Sequence, residues 1–184
     1  LYVQLALSLK PDFPAAQSLL GGIHESQRRW TDANKVYEGI DAKTAYGWNA
    51  RIRMAANLDH LDRTDESAQV LRELATDYPQ RIDALVTLGD IYRARKKFAE
   101  ASEVYTVAIS RIALPQKQNW TLYYSRGIAF ERTDRWEEAE EDFLKALELR
   151  PEQPLVLNYL GYSWIEKGLH LKKAQDMIEK AVKL

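Results

Sequence analysis

Residues 127–151 place the strongest constraint on what this chain can fold into. Apolar or small residues recur at spacings of three and four on both sides of a short polar break at 132–135. This periodicity is typical of amphipathic α-helices, so the stretch predicts two helices joined by a tight turn. Neither helix can bury its apolar face alone. The pair must therefore pack together and against further helices.

The pattern returns along the whole chain. Small residues of the first helices are assigned to positions 21, 56, 89, 127 and 161, at intervals of 35, 33, 38 and 34. We predict a leading half-repeat at 1–11 and five repeats at 14–47, 48–79, 82–113, 120–151 and 154–184. The four extra residues fall in a polar loop at 113–119.

The second repeat is the weakest match. We assign Ala56 to its small position and Asp59 to the position where Phe130 and Trp164 stand in later repeats. Its boundary with the first repeat lacks a proline, and Gly47 is the candidate helix breaker there.

The order of Gly127, Phe130, Ala139, Phe143 and Pro151 resembles the signature of the tetratricopeptide repeat (TPR) family. The resemblance implies an all-α fold, a right-handed superhelical solenoid of stacked helix-turn-helix repeats. The amino-acid sequence of the repeats is similar to that of long bacterial TPR proteins.

One repeat departs from this pattern at two positions. Most other repeats carry Leu before the small residue and an apolar residue sixteen positions later, whereas here the residues are Arg126 and Asp142. A lone buried charge is costly and a paired one is tolerated. We therefore predict a packed ion pair between the two helices, the alternative being two independent exposed charges.

Composition excludes several kinds of partner and chemistry. The formal net charge is −1 with a pI near 6.4, which argues against a nucleic-acid partner. No apolar run of about 18 residues is present, so we expect no membrane insertion. Without cysteine the chain has no thiolate nucleophile, thiolate metal site or disulfide. These features are compatible with either bacterial cytoplasm or periplasm.

No constellation of residues predicts catalysis or cofactor binding. His24, His60 and His170 lie in different repeats without the i, i+4 spacing of a helical zinc site. Phosphate-binding and nucleophile motifs are absent from the sequence. We therefore predict that the chain is not an enzyme and binds no cofactor or metal.

The resemblance also implies a binding groove lined by the first helices, at positions one and four after the small residue and three before it. An extended or helical peptide could bind there through apolar pockets and side-chain hydrogen bonds. The candidate groove residues are Arg53, Asn57, Asp90, Arg93, Tyr124, Ile128, Asn158 and Tyr162, with Ser18, Gly22, His60, Val86, Glu131 and Ile165 at the remaining positions.

These positions favour a scaffold or adaptor that binds a peptide or protein segment. The alternative is a targeting or regulatory arm of a larger enzyme whose catalytic domain lies outside these residues. Only Arg53 and Asn57 resemble any part of the carboxylate clamp of co-chaperone members, which argues against a chaperone-tail partner. Apolar residues at 1–9 and 177–184 further predict self-association through uncapped solenoid ends.

Overall fold

The computed structural model describes residues 2–184; Leu1, at the start of the predicted half-repeat, lies outside them. Within these residues the chain forms helices and no strand. The helices are α1 (Tyr2–Leu9), α2 (Pro14–Ser26), α3 (Trp30–Glu38), α4 (Ala45–His60), α5 (Thr64–Asp77), α6 (Asp83–Ala94), α7 (Phe98–Ser110), α8 (Trp120–Glu131), α9 (Trp136–Leu149), α10 (Pro154–Glu166) and α11 (Leu171–Lys183), with a 3-10 helix at Lys117–Asn119. The predicted all-α fold of paired helices is confirmed.

The chain divides into two compact units. The first ends at Ile91 and packs α2 against α3 and α4 against α5, with Tyr37, Leu71 and Leu74 almost fully buried. The second spans Tyr92–Leu184 and packs α8 against α9 and α10 against α11, around a core that includes Phe143 and Leu160. Each unit buries the apolar faces that the periodicity predicts.

Glycines let paired helices approach closely at the small position. A Cβ on Gly127 would lie 2.8 Å from Cε1 of Phe143, and a Cβ on Gly21 would overlap the ring of Tyr37. In both pairs, a large ring of the second helix occupies the space that the glycine leaves open. Close packing of this kind leaves little room for an added methyl group.

The turns inside the helix pairs share one geometry, which fixes the register of the repeats. A backbone N–H after each turn donates to a carbonyl five residues earlier, at 2.8–2.9 Å, and the accepting residues are His24, Leu58, Tyr92, Phe130 and Trp164. A residue with left-handed backbone precedes that donor, at Arg28, Asp62, Lys96, Asp134 and Gly168.

This geometry corrects the register of the second repeat by one residue. Gly21, Gly89, Gly127 and Gly161 each lie seven residues before the left-handed residue, and seven residues before Asp62 is Ala55, which is fully buried. The small position is therefore Ala55 and not Ala56, and the position assigned to Asp59 belongs to Leu58. The intervals between small residues become 34, 34, 38 and 34.

The boundary before the second repeat also differs from the prediction. Helix α4 begins at Ala45 after the N-cap Thr44, whose hydroxyl accepts the Gly47 N–H at 3.0 Å. Gly47 therefore lies in the first turn of α4, and the predicted boundary at 47/48 falls inside this helix. A Cβ at Gly47 would overlap the Asp41 carbonyl, so a close backbone approach accounts for this glycine.

Candidate functional site

The register shift decides where the structure places Arg53 and Asn57. Each stands one residue beyond the position that corresponds to the groove in the other repeats. Asn57 is only 2% exposed, and its Nδ2 donates to Asn34 Oδ1 at 2.8 Å and to Glu25 Oε1 at 2.9 Å. The amide of Asn57 thus links three helices beneath the surface of the first unit.

Arg53 remains at the surface, where it forms an ion pair with Glu25. Its Nε and Nη2 both donate to the Glu25 carboxylate, and its guanidinium lies 5.5 Å from the centre of the Tyr37 ring. A Cβ on Gly22 would lie 3.4 Å from Arg53 Nη2, an ordinary van der Waals distance, so the guanidinium lies directly over this residue. Sequence reasoning missed Glu25, although it stands four residues after Gly21, at a groove position.

His60, the histidine among the candidate groove residues, contacts an aromatic ring. The imidazole of His60 stacks on Trp30 at a centroid separation of 4.3 Å. His24, His60 and His170 do not come together, and residues 2–184 contain no cluster of three or more His, Asp or Glu side chains that could hold a metal ion. Nor does any helix of residues 2–184 have the length and apolar character needed to cross a membrane.

Helix α6 carries Asp90 and Arg93, both of which are half-buried. Arg93 Nε lies 3.4 Å from the Tyr105 hydroxyl oxygen, on helix α7 of the second unit. Both residues make further interactions within the protein.

In the second unit, Tyr124 is part of an aromatic cluster. Its ring centre lies 6.0 Å from that of Phe143 and 5.9 Å from that of Tyr159, the latter edge-on. Burial raises the pKa of the Tyr124 hydroxyl above its usual range, and the positive charge of Arg93 partly opposes this. Ile128, one turn further along α8, is also half-buried and packs against this core.

Tyr159 ties α10 to α8 through a hydrogen bond. Its hydroxyl donates to Glu131 Oε2 at 3.1 Å. Burial, reinforced by the negative charge of Glu131, raises the pKa of Tyr159 to about 12. The bond holds the carboxylate of the candidate groove residue Glu131 against α10.

The outward face of α10 carries three exposed candidate residues. Asn158 is exposed, Tyr162 is 53% exposed and Ile165 is 44% exposed, and Leu155 extends the same face by one turn at 61%. A flank of this face packs through Gly161 against α11, where a Cβ would lie 2.8 Å from Ile178 Cγ1. We call the four exposed residues Leu155, Asn158, Tyr162 and Ile165 the α10 stripe.

The predicted ion pair between Arg126 and Asp142 is confirmed. Arg126 Nε and Nη2 donate to the two Asp142 carboxylate oxygens, both at 2.7 Å, and Nη1 donates to Thr106 Oγ1 at 3.2 Å. The side chains are 17% and 5% exposed. Burial raises the pKa of Asp142, and the hydrogen bonds from Arg126 oppose that rise. The pair joins three helices of the second unit.

Comparison with known proteins identifies the repeats. Two family models, both described as "Tetratricopeptide repeat", match residues 82–112 and 120–153, respectively. The chain is 30% identical over 123 residues to mouse (Mus musculus) TOM70, a mitochondrial import receptor subunit, covering 65% of this chain and 18% of the relative. It is 25% identical over 170 residues to the TPR repeat-containing protein PA4667 of Pseudomonas aeruginosa, covering 92% of this chain and 28% of that protein. The chain thus spans less than a third of the length of these two relatives.

A solved structure shows the same fold. Pseudomonas aeruginosa PilF matches with a TM-score of 0.75 at 17% identity, over 92% of this chain and 75% of that one. The chain therefore contains tetratricopeptide repeats at residues 82–112 and 120–153 and shares the all-α fold of this solved structure. Repeats of this kind indicate a protein-interaction scaffold.

Proposed function

We propose that this TPR chain is a non-enzymatic scaffold that holds a segment of a partner protein against the first helices of its repeats. The observation that carries the proposal is the α10 stripe. Three large apolar side chains, Leu155, Tyr162 and Ile165, stand in water along one helix of a folded unit, around an exposed amide. Contiguous exposed apolar surface is characteristic of interaction sites.

The supports of this surface favour binding rather than accidental exposure. The hydrogen bond from Tyr159 to Glu131 and the packing of Gly161 against Ile178 hold α10 from two sides. A surface held in one geometry loses little conformational entropy when a partner binds. The first unit offers a second surface of different chemistry, where Glu25 and Arg53 pair beside the small residue Gly22.

Absence of catalysis forms part of the proposal. The buried carboxylate of the second unit, that of Asp142, is paired with Arg126 in a structural contact. One of the relatives is an import receptor subunit, and a receptor role fits a chain that binds other proteins. The partner segment is therefore expected to be a peptide region of another protein.

Selection from a random peptide library would test the proposal. Peptides selected on the folded chain should lose binding to the Ile165→Glu variant and retain it for Leu144→Glu. The two positions form a matched pair, because their exposure is nearly equal: Leu144 is 45% exposed and Ile165 is 44% exposed. Leu144 lies on α9, which is the second helix of its repeat. No enriched peptide, or equal loss in both variants, would contradict binding on the first helices.

A further inference from the structure

We infer that the partner segment on the α10 stripe is an amphipathic α-helix with an uncharged apolar face. This inference rests on the proposed function and adds to it the conformation and chemistry of the bound segment. Leu155, Asn158, Tyr162 and Ile165 follow one another at three, four and three residues, which is the a/d spacing of a heptad repeat.

The spacing distinguishes a helical segment from an extended one. Along a helix, steps of three and four residues rise about 4.5 and 6 Å, so the four stripe residues span about 15 Å. A second helix presents its own a and d side chains at the same intervals and stays in register. An extended strand places same-side residues about 6.6 Å apart, so three such steps span about 20 Å. It would lose register by about 5 Å.

Inside α10, the backbone has no free N–H and C=O groups with which an extended peptide could form hydrogen bonds. Strand addition requires a sheet edge with free N–H and C=O groups. Residues 2–184 form no strand, and the N–H and C=O groups inside α10 pair with each other. Affinity on this face must therefore come from side chains packing between side chains.

The polar residues of the stripe define the chemistry of the bound helix. No stripe residue carries a formal charge, so a charged side chain directly opposite would lose its hydration without a partner. Asn158 stands at a d position, and its amide would lose its hydrogen bonds to water if an apolar side chain covered it, so we expect a polar residue opposite it. Glu166 follows the stripe at a flanking position and is exposed, which favours a basic residue at the edge of the partner helix.

Two synthetic 21-residue peptides of identical composition provide the test. One carries Leu at a and d, a single Asn at d, and Lys at the flanking positions; the other places the same Leu residues at alternate positions. Binding to the folded chain is followed by fluorescence anisotropy, below the concentration at which the peptides self-associate. The heptad peptide should bind at least tenfold more tightly than the alternating one, with a gain of helical circular dichroism.

Variants locate the binding on the stripe. Ile165→Glu should weaken binding of the heptad peptide at least tenfold, while Leu144→Glu should leave it unchanged. Asn158→Leu should strengthen binding of a heptad peptide that lacks Asn, because it removes an unpaired amide from the contact. Equal binding of the two synthetic peptides, or binding of neither at about 1 mM, would overturn the inference.

The outcomes separate this inference from the proposed function. Library-selected peptides that bind the first helices in extended form would preserve the scaffold and refute the helical segment. A dimer of the chain that Tyr162→Glu disrupts, seen by analytical ultracentrifugation without any peptide, would assign the stripe to a second copy and would also refute it.

Discussion

Removing Arg126 should expose how much the second unit depends on its buried ion pair. In the Arg126→Leu variant, Asp142 keeps a carboxylate that is 5% exposed and loses two charge-assisted hydrogen bonds of 2.7 Å. Breaking a buried pair from one side costs about 3–5 kcal/mol. Arg126 is partly accessible to solvent, so we expect a loss of roughly 2–4 kcal/mol in the free energy of unfolding at pH 7.

The reverse change should cost less. In Asp142→Val the remaining charge belongs to Arg126, whose long side chain can extend its guanidinium to water. The double variant with Leu and Val should recover most of the loss, because two apolar side chains at these positions restore the pattern of the other repeats. A double-mutant cycle therefore should show coupling of at least about 1 kcal/mol.

The pH dependence adds a second test with a defined sign. Burial already raises the pKa of Asp142 above its unfolded value, and loss of Arg126 should raise it further. A carboxyl with a raised pKa in the folded state binds a proton more readily there, so folding is favoured at low pH and loses that contribution as pH rises through the folded pKa. The deficit of Arg126→Leu relative to the native chain should thus be smaller at pH 5 than at pH 7.

Chemical denaturation of the native chain and the three variants at both pH values would measure these effects. The matched control is Lys172→Ala, which breaks the exposed pair with Asp176 and should leave the denaturation midpoint unchanged. If Arg126→Leu behaves like this control, or if the double variant is as unstable as the single one, the buried pair does not stabilise the second unit in the way described.

Two further predictions concern other parts of the fold. Gly21→Ala should destabilise the first unit by about 1–3 kcal/mol because the added methyl would overlap the ring of Tyr37. Its neighbour provides the control: Gly22→Ala should be neutral or stabilising by up to about 1 kcal/mol, since the added methyl meets only the end of the Arg53 side chain at 3.4 Å and gains helix propensity. Equal thermal midpoints for the two variants would refute the close helix approach. Tyr159 has a pKa of about 12 in the folded state, so its contribution is complete below pH 10 and lost as pH rises from 10 to 12. Tyr159→Phe should therefore show a smaller alkaline loss of stability in urea titrations at pH 9 and 11, and an unchanged loss would show that Tyr159 does not titrate in this way.

Much of the helical architecture was predictable because the controlling signals are local. A glycine followed by an alanine twelve residues later, as in Gly127 and Ala139, identifies a close helix crossing. The opposite charges of Arg126 and Asp142 predicted a contact because both replace apolar residues at positions that face each other. Side-chain volume and charge at such positions are properties of the sequence alone.

The second repeat was harder because adjacent residues satisfied the same pattern. Ala55 and Ala56 are both small, and the alanine expected on α5 is replaced by Ser67, which is fully buried, with Ala68 beside it. When two adjacent residues are both small, the apolar periodicity is compatible with two registers of the repeat that differ by one residue. The hydrogen bond from the Arg63 N–H to the Leu58 carbonyl removes that freedom, because one turn geometry permits one register.

The amino-acid sequence by itself determined the fold class, the helix pairs and the partners of the buried charges, since these follow from apolar spacing and the cost of burying an unpaired ion. Tertiary structure alone decided which polar side chains face outward. Asn57 is drawn inward by Glu25 and Asn34, whereas Asn158 stays in water on α10. Both residues are asparagines, so their chemistry does not explain the difference. Adjacent residues of a helix point about 100° apart around its axis, so a shift of one position in the register moves a side chain from a binding surface to a buried position.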